Sequence, residues 1–484
     1  MLRKALGILI ITIITIAVLS SCKKDNYADS EQEKINFSTD TLFFDTVFTT
    51  IGSSTRRFKI KNPHDKSIII SSLKIAGGND SPFKINVDGV PGYSFENIEI
   101  RAEDSIWVFA EVTVDPSPGN LPFIVKDSII FTTNSNIQDV NLIAFGQNAI
   151  YHRPAKGQSS FVLNCSEVWT SDTPHVVYGV AVIDSMCKLT IKAGTQVHFH
   201  NNGALLAYYG GSLRIKGTAD KPVVLQGDRL EPWYEDVPGQ WLGVYLFPLS
   251  FDNNIKWAII KNARIGIQCD TVNSIQSSNP TLTLKNTIIK NCSSIGISGR
   301  GTDILAYNTV VSNCGEYCGS FALGGKYNFY HCTFGSYSIS NSDKPAVLLN
   351  NWYEDPNKNV ITRDLSEANF FSSIIYGNKK NEILLSEETG SDFNFLFKDC
   401  LIKVDNNETE SILPEFVNCI VNQTPDFENV LKNDFHLKDN SNAINRGDIN
   451  IVNSFISSLG KDLDNSLRTI DGQPDLGVYE YKTP

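Results

Sequence analysis

The chain has 484 residues, with 42 Lys and Arg against 53 Asp and Glu, a net charge of -11. That balance argues against nucleic acid or anionic lipid as a partner, since both require clustered Lys and Arg. The length exceeds one ordinary core, so two domains are expected once processed segments are set aside.

At the N-terminus Arg3 and Lys4 precede an uncharged apolar run over 5–18 and then Leu19, Ser20, Ser21 and Cys22. A basic start, a short apolar middle and small residues at the cut describe a secretory signal. The run falls short of the roughly 20 apolar residues that a membrane span needs. The Leu-Ser-Ser-Cys ending resembles a bacterial lipobox. The resemblance implies a signal peptide over 1–21, cleavage before Cys22, and lipidation of Cys22, so that the membrane is a partner through the lipid anchor. Residues 22–34, including KKDNYADSEQEK, have little to bury and are expected to form a flexible tether. Their lysine-then-aspartate start resembles the export tags of Bacteroidota outer-membrane lipoproteins, which implies an outer-membrane location with the cell-surface face favoured over the periplasmic one.

Over 35–150 short alternating runs such as TRRFKIK (55–61), SIIISSLKI (67–75) and SIWVFAEVTV (105–114) are broken by Asn62-Pro63, Gly77-Gly78 and Pro116. Apolar residues at every second position predict a β-sandwich. The FDTVF (44–48) and AFGQ (144–147) phrases resemble the immunoglobulin-like domains of Bacteroidota surface lipoproteins. That resemblance bears on fold and not on activity.

Over 151–484 strand-sized runs ended by Gly or Pro follow one another without helical periodicity. The phrase NTIIKNC (286–292) returns as NTVVSNC (308–314) about one solenoid coil later. Repetition at that period predicts stacked coils, each laying its strand on that of the coil before. LTIKAGT, GSLRIKGTADKPVVLQG and QWLGVYL, with the tail phrases DNSNAINRGD and PDLGVYEY, resemble the right-handed parallel β-helix proteins of Bacteroidota, closed here by a C-terminal cap. The expected fold class is therefore all-β, an immunoglobulin-like sandwich followed by a right-handed parallel β-helix. Asn262, Asn291 and Asn313 are expected to stack their amides along the axis. Cys292, Cys314 and Cys332 are expected to stack as small buried thiols, and Cys314 and Cys318 are close enough in sequence to close a short loop.

No catalytic residue and no metal ligand is assigned. β-Helix hydrolases of the polygalacturonase type carry an Asp pair, Gly-His-Gly and Arg-x-Lys, and this chain has only Arg214-Ile215-Lys216. His198 and His200 lack the further ligands of a metal shell. Arg446-Gly447-Asp448 reads as a turn. Six Asp-Ser/Thr-apolar triplets, among them Asp184-Ser185-Met186 and Asp270-Thr271-Val272, resemble Bacteroidota O-glycosylation acceptors. The candidate binding loops are two WYED phrases, Trp233, Tyr234, Glu235 and Asp236, and Trp352, Tyr353, Glu354 and Asp355, each soon followed by proline. Aromatic faces beside carboxylates suit sugar rings or a partner protein. The function expected is a non-enzymatic binding or scaffold protein for glycans or envelope proteins, without a cofactor, calcium being the one ion its acidic loops suit. The alternatives are a polysaccharide lyase or glycoside hydrolase of β-helix type, and an accessory subunit of an outer-membrane import or assembly complex.

Overall fold

The computed structural model describes residues 27–117, 122–270, 279–338, 342–405 and 413–482. The expected signal peptide, Cys22, the first residues of the expected tether, and Thr271 and Val272 of the Asp270 triplet lie outside them. The chain divides between Asn148 and Ala149 into two compact units.

The first unit holds two five-stranded sheets. One runs, in spatial order, Asn36–Phe37, Arg56–Lys61, Ser105–Val112, Phe83–Val87, Val90–Gly92; the other Thr41–Phe48, Asn136–Gln147, Phe123–Thr133, Ile68–Ile75, Ser94–Ile100. Alternate residues of each, such as Phe58, Ile60, Val108 and Ala110 against Phe44, Ile70, Phe131 and Leu142, meet in one buried core. Pairing is antiparallel except that Thr41–Phe48 runs parallel to Asn136–Gln147. The tether expectation needs correction from Tyr27 onward. Ala28 is buried in the core and its N–H donates to Ser67 O, while the Asn134 and Asn136 amides hold Glu33 O and Glu31 O. A small side chain and satisfied carbonyls let a polar segment dock where composition alone suggested free chain.

Among the described residues the second unit is dominated by one curled sheet of 26 strands in which each strand pairs in parallel mainly with the equivalent strand of the next coil. Three faces result. The first includes His175–Val177, Gln196–Phe199, Val223–Gly227 and Ala258–Lys261; the second Val180–Ile183, Ala204–Ala207, Trp241–Leu246 and Ala263–Asp270; the third Lys188–Lys192, Ser212–Lys216, Asn253–Lys256 and the start of Leu282–Lys290. Inward side chains such as Leu189, Ile191, Leu213 and Ile215 fill the interior.

The repeated phrases lie in register, Thr287 on Thr309 and Ile289 on Val311. Their asparagines occupy the corners, with φ of 51° and 45° at Asn286 and Asn308, and 55° and 50° at Asn291 and Asn313. Asn tolerates this left-handed conformation better than other side chains, so the corner and not the stack selects it. Direct amide stacking occurs at Asn286 and Asn308 (2.9 Å), whereas Asn262, Asn291 and Asn313 turn their amides outward to other segments. Cys292, Cys314, Cys318 and Cys332 are buried free thiols, and Cys314 and Cys318 close no loop. Gly266 and Gly296 make room for this row, since a Cβ on either would strike Ile289 or Val311. The disulfide joins Cys165 to Cys187 instead.

The C-terminal segment runs along the outer side of the first face, where Leu463, Leu476 and Val478 pack on Val310, Ile374 and Leu401. Arg468, fully buried, donates to Glu480 Oε1 (2.5 Å), Asn308 Oδ1 (2.8 Å) and Gly477 O (2.9 Å). Two short helices, Ile449–Ser454 and Ile456–Leu459, interrupt it. Among the described residues no helix is long and apolar enough to cross a membrane.

Candidate functional site

The two WYED phrases take different local folds. The first forms a one-turn 3₁₀ helix, Pro232–Tyr234, pinned to the wall by side-chain amides. Gln240 Nε2 donates to Tyr234 O (2.6 Å) and Val237 O (2.8 Å), Asn262 Nδ2 to Glu235 O (2.8 Å), and Asn291 Nδ2 to Asp236 Oδ1 (2.7 Å). Tyr234 lies under the Arg229 guanidinium at 4.0 Å, and Arg229 pairs with Glu231 at 2.8 Å. Trp233 is left 82% exposed. The loop is thus fixed at its backbone and free at its largest apolar side chain.

The second phrase starts a hairpin in which Trp352–Glu354 pairs antiparallel with Val360–Thr362. Trp352 is half-buried and its Nε1 donates to Ser386 Oγ (3.0 Å). Asp355 forms the turn, accepting from the backbone N–H of Asn357 and Asn359 and from Asn359 Nδ2. Those bonds hold its carboxyl below the usual range. Tyr353 remains exposed.

A row that sequence reasoning missed leads along one corner toward the first loop. The Arg153 guanidinium lies over both Tyr151 and Tyr178, Tyr178 stacks on His200 at 4.5 Å, and His200 Nδ1 meets Asp228 Oδ2 at 2.6 Å, beside Arg229. Its members come from successive coils, so no window of sequence displays them together. His198 and His200 do not share a site: His198 is buried against Gly227 O at 3.2 Å, its pKa pushed down to about 4 by that burial, while His200 is exposed at the corner. Among the described residues no group of three or more His, Cys, Asp or Glu is placed to hold a metal ion.

The tripeptide 446–448 is structural, with Asp448 capping the helix at Asn450 N (2.9 Å) and pairing with Lys398 (3.2 Å). Glu382, buried and raised to about 7 by that burial, accepts from Ala346 N and Lys379 N. Those bonds make it a structural carboxylate.

No family model and no curated protein matches the chain. Solved structures similar in part include a family 123 glycoside hydrolase from Clostridium perfringens (12% identity, TM-score 0.18, covering 27% of this chain and 26% of that one). Another is a protein of unknown function from Porphyromonas gingivalis (13%, 0.17, 28% and 57%). The catalytic unit of a GH87 α-1,3-glucanase from Streptomyces thermodiastaticus is a third (9%, 0.20, 71% and 78%). The chain therefore spans about a quarter of the first and just over half of the second. Likenesses this slight carry no functional argument.

Proposed function

We propose that this chain is a non-enzymatic binding protein of the outer membrane, held through a lipid on Cys22 and displayed at the cell surface, with an immunoglobulin-like sandwich followed in the sequence by a right-handed β-helix. Its partner is a glycan or an envelope protein, and the two WYED phrases supply the binding loops. The observation that carries the reading is Trp233, 82% exposed on a loop whose backbone is tied down by Gln240, Asn262 and Asn291. A rigid loop presenting a bare indole loses little entropy on binding and offers a flat apolar face.

The test is a panel of neutral and acidic polysaccharides run against the full-length protein in affinity gels, with cleavage followed by reducing ends and by absorbance of unsaturated uronates, with and without calcium. Retardation without cleavage, lost in Trp233→Ala at unchanged thermal midpoint, is the expected result. Cleavage of any member would replace this reading by the lyase or hydrolase alternative. Trp352→Ala, which removes the bond to Ser386, is expected to lower the midpoint as well.

A further inference from the structure

On the outer side of the third face four lysines stand directly above one another. Lys192 pairs in register with Lys216, Lys216 with Lys256, and Lys256 with Lys285. Adjacent strands are about 4.8 Å apart, so this is a column of like charges at close, regular spacing, an arrangement that opposes folding unless something neutralises it. Lys192, Lys216 and Lys256 are exposed and Lys285 is half-buried. Among the described residues none of the four makes an ion pair, although several other charges of the same sheet are paired. Further along the same face Asp303, Lys326 and Glu367 alternate in register, with Lys326 Nζ 3.1 Å from Glu367 Oε1. Arg214 pairs with Asp252, and Lys290 lies 3.6 Å from Asp236.

The column ends where the tail crosses it. Lys285 Nζ donates to Ser457 O, and Lys256, Lys285 and Lys461 line a cleft of roughly 390 Å³ together with Trp257, Asn286 and Asn465. That volume lies within the range of roughly 300–1,000 Å³ typical of ligand pockets. Burial, and then the charge of Lys256, draw the Lys285 pKa down, as expected of ammonium groups crowded together. Beyond the cleft the same row continues as Tyr307, Tyr330 and Phe371, stacked on one another, with Phe455 packed on Tyr307 and Tyr330.

We propose that the column Lys192, Lys216, Lys256 and Lys285 is a binding track for an acidic polysaccharide, which lies along the third face and ends with an acidic sugar in the Lys256, Lys285 and Lys461 cleft. A chain bearing one anionic group per sugar matches a wall bearing one ammonium per coil. Trp257 gives the cleft an apolar side against which a sugar ring can rest, while Asn286 and Asn465 can serve hydroxyls. Single-stranded nucleic acid fits less well, because binding it depends on exposed rings for base stacking. Of the row's own aromatic members Tyr307 is buried, and Tyr307 and Tyr330 pack against Phe455. The inference uses another face of the solenoid and no residue of either WYED phrase, so it and the loop reading can fail separately.

The experiment measures binding of polygalacturonate, chondroitin sulfate, fully methyl-esterified polygalacturonate and a single-stranded DNA oligonucleotide to the full-length protein by calorimetry at low and raised salt. At least one of the two acidic glycans is expected to bind, more weakly as salt rises. The esterified polymer is expected not to bind. Lys216→Gln/Lys256→Gln should weaken acidic-glycan binding at least tenfold. Without ligand the double variant should melt at or above the parental midpoint, because a like-charge column has been relieved. Several results would overturn the proposal: no binding of either acidic glycan, undiminished binding by the double variant, equal binding of the esterified polymer, DNA binding as tight as the glycan, or a lowered midpoint showing that the column serves the fold.

Discussion

His436 lies between two carboxylates, its Nδ1 2.6 Å from Asp434 Oδ1 and its Nε2 3.0 Å from Asp464 Oδ2, with the ring stacked on Tyr479 at 3.9 Å. The bond to Asp464 leads the causes that raise its pKa from 6.5 to about 9, and the same bond, joined by Lys482, draws Asp464 from 3.8 down to about 2. The signs follow from linkage. A raised histidine stabilises fully below its unfolded value of 6.5, and that contribution is lost as pH rises through about 9. A depressed aspartate stabilises above 3.8, and that contribution is lost as pH falls through about 2. Both contributions are therefore complete only between roughly pH 4 and 6.5. His436→Gln should flatten the alkaline decline of the unfolding midpoint between pH 6.5 and 9, and should also soften the acid limb, because Asp464 then keeps only Lys482 to hold its carboxyl down. Thermal melts of parent and variant across pH decide it, and superimposable alkaline limbs would sink the assignment.

At the scale of the element, the corner asparagines do two jobs that substitution can separate. Asn291 holds φ at 55° and clamps Asp236 at 2.7 Å. Glycine keeps the left-handed corner and deletes only the amide, so Asn291→Gly should cost about 1 kcal/mol and make 230–239 easier to nick by protease. Asn291→Ala should loosen the loop equally and cost roughly 1–2 kcal/mol more, for a Cβ in the left-handed region. Limited proteolysis beside chemical denaturation checks both, and equal protection in all three proteins would remove the clamp. The corner itself was readable, because NTIIKNC and NTVVSNC place Asn at both ends of a strand-sized apolar run. The clamp was not, since nothing local says which loop will pass over Asn291. The lysine column was hidden for the same reason. Lys192, Lys216, Lys256 and Lys285 belong to coils of unequal length, and only the register of the pairs brings them into line. The corner row from Tyr151 to Asp228 is likewise a property of stacking. Alternation in the first unit, by contrast, is local, and it was read directly as strands with one buried side.

At the scale of the molecule, a solenoid's stability is approximately the sum of its coils and of the interfaces between neighbours, so a terminal coil lacks one of its two interfaces. In the second unit the first coil is built from short strands, Ile150–His152, Ser160–Val162 and Val168–Trp169, and can gain little from the ladder. The Cys165–Cys187 bond joins it to the coil that continues as Lys188–Lys192, across a sequence separation of 22. Closing a loop of that length stabilises by about 3 kcal/mol in the chain-entropy account. The other cysteines of this unit lie further along the solenoid and are free thiols, all but Cys419 buried. Cys165→Ser/Cys187→Ser should therefore act locally. Hydrogen exchange should accelerate over 150–170, where backbone bonds such as Leu163 N to Val182 O (2.9 Å) join the two coils, and stay at parental rates beyond the repeated NTIIKNC phrase. Exchange that quickens uniformly along the unit would mean that the coils unfold as one cooperative body, and the bond would then stabilise the whole wall instead of its first coil.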